Sequence, residues 1–391
     1  MNCYRFRYLF SVGVFCALFI GILACSCKKA DDPERTEEPE TEEPESPSIP
    51  PQDVELLFLH SHEAPESRKK MASATDGVSF YVGGGHHPMS YTSSVYKLDM
   101  QTFEWTSTPL SKPRMESFVH ILNNQVFVSG GWHGKQEGPR IDRFTLSLDH
   151  IDHKVLGTGD FSYRAVTVAG DQYLIVRSYA NFYIFDHSMQ AWETIAIDPI
   201  YQGTVQSIIS DGNTIYSCNL TTNGFKTKHV LLQFDLKSRI WKEMENKAHQ
   251  FNNKMLVHKG KIYFYSTYAF ETPPYLDVYD IKDQRWSTLR FPEYRELYAI
   301  LIDEPSDALI LSGGRVLGDE ESGSRMSSDL LVYQFGNEEW KKFKLQHSRL
   351  FHTMQIVGDR LVVHGGEAVL NVDDSIGLPT EIFQVSRTEM Q

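Results

Sequence analysis

Cysteine is nearly missing from the foldable part of this 391-residue chain. Of Cys3, Cys16, Cys25, Cys27 and Cys218, only the last lies beyond residue 27, which excludes a disulfide framework and a Cys-rich zinc module. Positive charge is also short. The 38 Lys and Arg against 51 Asp and Glu leave −13, which argues against a nucleic-acid partner. No long run has 3.6-residue apolar periodicity, so helix should be nearly absent. There is no Gly-x-Ser-x-Gly elbow, phosphate loop, His-Glu-x-x-His or EF-hand loop. What is present, 41% hydrophobic and 12% aromatic residues, is enough to bury a large core.

The first residues read as an address. Arg5 and Arg7 precede an apolar run from Tyr8 to Ala24, and Ile22-Leu23-Ala24-Cys25 closes it on a small residue. That pattern is a secretory signal, too short for a comfortable membrane span. Its end resembles a bacterial lipobox, which implies cleavage after residue 24 and diacylation of Cys25; Cys27 fits less well. Residues 1–24 are thus expected to be a lipoprotein signal peptide. In residues 31–51, nine acids and six prolines accompany one base, Arg35. Repulsion and proline stiffness predict a disordered, solvated tether over 25–51. The address then predicts an outer-membrane lipoprotein of the bacterial cell envelope, with surface exposure left open, that meets the membrane only through its anchor.

From residue 52 an internal repeat takes over. Asp99 leads to Trp105, Asp186 to Trp192, Asp235 to Trp241 and Asp280 to Trp286, each six residues on. Gln334 leads to Trp340, and Asp149 to Val155, at the same spacing. The Asp should cap a turn and the Trp should open the next strand and cover a neighbouring unit. An earlier strand recurs in each unit, as in Ser79–Val82, Gln125–Val128 and Arg360–Val363. Four of these run into a double glycine: Gly83-Gly84, Gly130-Gly131, Gly313-Gly314 and Gly365-Gly366. The last unit lacks a strand, and Val54–Leu59 is a strand without a unit.

Four strands per unit, the glycine pair and the strand-opening aromatic resemble the Kelch repeat. The resemblance covers residues 52–391 and implies an all-β, seven-bladed propeller of four antiparallel strands per blade. The N-terminal strand would complete the C-terminal blade, with Leu57 beside Phe383. The 37-residue step between Asp149 and Asp186 is where a count of six would arise.

The resemblance also implies that loops after the glycine pairs gather on one face. They carry His86, His87, Trp132, His133, Arg315 and Glu367. Such a set suits a sugar, through stacking and hydroxyl hydrogen bonds, and imidazoles with a carboxylate also suit a metal; the same residues are equally compatible with ordinary polar loops. A second set, Arg68, Arg114, Arg164, Arg295 and Arg349, precedes the first strands. These either bind an anion at the channel mouth or hold the blades together. Some Kelch-like propellers are copper radical sugar oxidases or sialic-acid mutarotases. Cys218 is the sole thiol for the former and reads instead as a small residue ending a strand. The expectation is therefore a monomeric binding protein without metal or cofactor, for a glycan or an envelope protein. A sugar-active enzyme of mutarotase type is the alternative.

Overall fold

Short runs of β-branched and aromatic residues, broken by Asp, Asn and Gly turns, give antiparallel strands throughout. The computed structural model describes residues 52–66, 68–87, 90–132, 140–155, 165–170, 172–186, 188, 192–223, 226–248, 254–266, 274–318, 323–368 and 378–389. The signal, Cys25 and the tether lie outside these residues, as do His133 and Arg164. Helix is limited, among the described residues, to two three-residue 3-10 turns, Pro199–Tyr201 and Glu304–Ser306.

Seven four-stranded antiparallel sheets form among the described residues. Numbered along the chain, the first holds Ala72–Thr75, Ser79–Gly83, Ser94–Asp99 and Trp105–Pro109. The second holds Met115–Leu122, Gln125–Trp132, Arg140–Thr145 and His150–Val155. The third runs from Ala165–Ala169 to Trp192–Ala196, and the fourth from Thr204–Asp211 to Trp241–Met244. The fifth runs from Lys254–His258 to Arg285–Arg290, and the sixth from Ala299–Asp303 to Glu339–Lys344. The seventh is ordered Thr353–Val357, Arg360–His364, Thr380–Glu389, Gln52–His62. Its outer strand thus comes from the other end of the chain, with Leu57 opposite Gln384 and Phe58 opposite Phe383.

Seven apolar clusters fill the spaces between sheets, one for each consecutive pair. The seventh cluster packs Phe80, Val82 and Leu98 of the first sheet on Val357, Val362 and Ile382 of the last. Sheets covered on both faces need continuous apolar strands, as in Ala308–Ser312, which is buried at every position. Each first strand touches its successor's, and Thr353–Val357 touches Ala72–Thr75.

The aspartates cap their turns. Asp99 accepts from the N–H groups of Gln101 (2.8 Å) and Thr102 (3.0 Å), which pulls its pKa below the ordinary range. Asp235 does the same with Ser238 and Lys237. The tryptophans lean on the preceding sheet: Trp241 lies 4.7 Å from Phe182, and Trp340 Nε1 donates to the Arg290 carbonyl at 3.2 Å. Trp105 of the first sheet lies 5.2 Å from His364 of the seventh.

Three local expectations need correction. In the second sheet the turn begins at Thr145, since Phe144 pairs with His150. Thr145 Oγ1 accepts from Ser147 and Asp149 N–H, so His150 fills the Trp slot, and the Asp149/Val155 assignment is out of register. The turn is one residue shorter and capped by a hydroxyl, which hid it; the following step becomes 41 residues rather than 37. In the first sheet, the residues with left-handed backbone are Gly84 (φ 64) and Gly85 (φ 113), while Gly83 is still strand. Cys218 sits inside Thr214–Asn223 rather than at a strand end, and burial pushes its thiol up to about 12.

Candidate binding face

Strand order sends the second-to-third connections, and the links to each following sheet, to one end of the strands. The longest of them, 313–328 and 365–379, lie there, whereas first-to-second turns such as 123–124 and 259–260 need two residues.

One backbone unit recurs at this end. Arg68, Arg114, Arg295 and Arg349 are each at most 2% exposed. Two residues on, Lys70, Glu116, Leu297 and Phe351 all have φ between 53° and 56°. The residue between pairs back to the one after the glycine pair: Lys69 with His86, Met115 with Trp132, Glu296 with Arg315, Leu350 with Glu367. Four residues flagged from sequence therefore occupy one equivalent position in four sheets.

The glycines make the seam. Gly85 N–H donates to the Arg114 carbonyl (2.9 Å), Gly314 to Arg349 (2.9 Å) and Gly366 to Arg68 (2.8 Å). The last bond joins the seventh sheet to the first in the same way as the others join theirs. A Cβ on Gly313 would stand 2.5 Å from the Arg349 carbonyl oxygen, and one on Gly314 2.6 Å from that of Glu296. Left-handed backbone and carbonyl contact together leave room only for glycine.

The arginines are committed within their own sheets. Arg349 donates to Gly365 O (2.9 Å), Pro379 O (3.1 Å) and Glu381 Oε1 (2.5 Å). Arg295 donates to Gly313 O (2.9 Å) and Glu293 Oε2 (2.9 Å). Arg114 holds Arg140 O (2.9 Å) and the buried Asp142 carboxylate. Arg68 holds Gly84 O and Ser94 O, both at 3.1 Å, and Glu66; its guanidinium sits 4.0 Å over the Tyr96 ring, and burial lowers its pKa to about 10. Arg68 and Arg349 thereby tie the end of the second strand to the start of the third.

Several residues beside the glycine pairs are bonded to one another across this frame. Glu367 is 2% exposed and accepts from Lys69 Nζ of the first sheet at 2.6 Å. Glu296 is 1% exposed and pairs with Arg315. The His86 ring lies 5.9 Å from Tyr91. His87 and Trp132 are placed by their backbones alone. Next to Lys69, Lys70 pairs with Glu116 at 3.3 Å and stands 5.6 Å over Phe351. Lys69 and Glu296 were not singled out from sequence, although each directly follows an arginine that was. Among the described residues no group of three or more metal-ligating side chains forms.

Repeated four-stranded sheets packed face to face define a propeller-type all-β protein. Among solved structures, that of YjhT is similar in fold, with a TM-score of 0.50 and 14% identity over 83% of this chain and 99% of that chain. No family model matches the chain. No curated protein matches it.

Proposed function

We propose that this chain is a recognition propeller of Kelch-like type, closed into seven blades by its N-terminal strand and held at the cell envelope by a lipid on Cys25. In this reading residues 1–24 are removed, 25–51 form the tether, 52–391 form the propeller, and the ligand is a glycan or an envelope protein. The observation that carries it is the repeated position after the glycine pair. The backbone job there is constant, yet the side chains are His86, Trp132, Arg315 and Glu367. Ring assembly needs the glycines and arginines and leaves these four free to differ, which is how a rigid frame presents a binding surface. Glu367 and Glu296 are each bonded to a base, which holds both carboxylates in fixed positions as acceptors.

The test is a glycan array probed with the full-length chain and with Glu367→Gln and Lys69→Met. Binding that falls at least about tenfold in both variants is expected, which corresponds to about 1.4 kcal/mol. Unchanged binding would remove this face from the reading, and catalysed anomer exchange of a free sugar would replace it with the mutarotase alternative.

A further inference from the structure

We propose that His258 is a pH-sensitive latch that clasps the fifth blade to the sixth and, through the same 3-10 turn, to the strand Thr380–Glu389 of the seventh. His258 ends the strand Lys254–His258 and is 3% exposed. Its Nδ1 lies 2.7 Å from Glu304 Oε2 and its Nε2 2.6 Å from Asp307 Oδ1. Both carboxylates belong to the Glu304–Ser306 turn of the sixth blade and its cap. An ionised carboxylate only accepts, so both ring nitrogens have to donate, and only the imidazolium can do that.

The surroundings are accounted for. The ring stacks on Phe335 at 4.8 Å. Lys259, next in the chain, bonds Asp307 Oδ1 at 2.8 Å. Tyr263, from the adjacent strand, keeps its proton, because burial and nearby groups including Asp307 and Glu304 push its pKa up. On the far side of the turn, Arg387 of Thr380–Glu389 donates to Ser306 Oγ (2.7 Å) and to Asp303 Oδ1 (3.1 Å). The turn is therefore held by His258 from one blade and by Arg387 from another.

Burial disfavours the charged ring, but the hydrogen bonds and charges of Glu304 and Asp307 outweigh it and raise its pKa above 6.5. A raised folded-state pKa contributes stability that is fully present below pH 6.5 and lost as pH rises through the folded value. Other seam histidines are arranged the opposite way: burial pushes His364 down to about 3 and His120 down to about 4, with no carboxylate bonded to either ring.

The test uses the full-length chain with carbon-13 at histidine Cε1, titrated by NMR, alongside thermal unfolding from about pH 6 to about pH 8.5 for wild type and His258→Gln. His258 should titrate above pH 6.5. The wild-type unfolding constant should rise by up to about tenfold per pH unit across that titration, with the rise absent in His258→Gln. A His258 midpoint at or below 6.5, or superimposable pH profiles for the two proteins, would overturn the latch. The NMR midpoint is read on the wild type, so it stands even where the variant folds poorly.

Discussion

The sixth, seventh, first and second sheets share one kind of seam, and the third, fourth and fifth another. In the former group, a buried arginine, a left-handed residue two positions later and a glycine pair come together, and backbone meets backbone across the blades. In the latter, Ser178 and Ser266 stand where the second strands end, and the glycine pair is absent. Tryptophan packing on the preceding sheet is common to both groups: Trp241 lies 4.7 Å from Phe182 and Trp286 Nε1 reaches the Glu245 carbonyl at 3.2 Å, just as Trp340 Nε1 reaches the Arg290 carbonyl and Trp105 lies 5.2 Å from His364. Arg177 is buried in the third blade with its guanidinium 5.1 Å over Phe182. With the Asn219 amide turned to suit its neighbours, its oxygen accepts from Arg177 Nη2 at 3.2 Å. The glycine pair is thus a requirement of close backbone approach and not of the four-stranded sheet itself.

The strongest test of this contrast is Arg349→Met. It removes the cation paired with the fully buried Glu381 carboxylate, leaving that charge only the Gln346 and His347 bonds, and takes a donor from the Gly365 and Pro379 carbonyls; it should cost about 3–5 kcal/mol in denaturant unfolding. A loss below about 1 kcal/mol would mean that the arginine seam contributes no more than an exposed ion pair. Next is Gly314→Ala, whose methyl would meet the Glu296 carbonyl at φ 91°; about 1–3 kcal/mol is expected. Ser266→Ala in the other group places no Cβ where none stood before and should cost less in the same assay.

The effect that is smallest per step of the measured variable concerns pH. His364 bonds Thr380 Oγ1 at 2.8 Å and lies against Trp105, and its pKa is pushed down to about 3 by burial. A depressed histidine contributes stability above its unfolded value of 6.5 and loses it as pH falls from there towards about 3. Thermal unfolding should show about 1 kcal/mol lost per pH unit below 6.5, a slope that His364→Gln reduces. An unchanged slope would place the acid sensitivity elsewhere.

Much of the fold was legible because most sheets repeat an Asp cap followed by a tryptophan at fixed spacing. Asp99, Asp235 and Asp280 mark turns by residue type alone, and Trp105, Trp241 and Trp286 follow at fixed distance. The reading slipped where chemistry was kept but identity changed. Thr145 caps with a hydroxyl, and His150 replaces the indole. In the run Gly83-Gly84-Gly85 only backbone angles tell which two glycines bend. On the binding face, the positions of His86, Arg315 and Glu367 followed from the glycines before them. Their partners did not, because Lys69 and Glu367 lie 298 residues apart and meet only when the first and seventh blades do.

That last meeting sets an order of events. Gln52–His62 is the earliest-made strand of the described fold, and its partner Thr380–Glu389 is the latest. A chain released before Thr380 would leave an eleven-residue strand with Leu57 and Leu59 outward and no mate for its inner edge, a ready template for association with a second such chain. The ten-residue strand Thr380–Glu389 therefore decides whether the inner edge of Gln52–His62 is paired or left open to association.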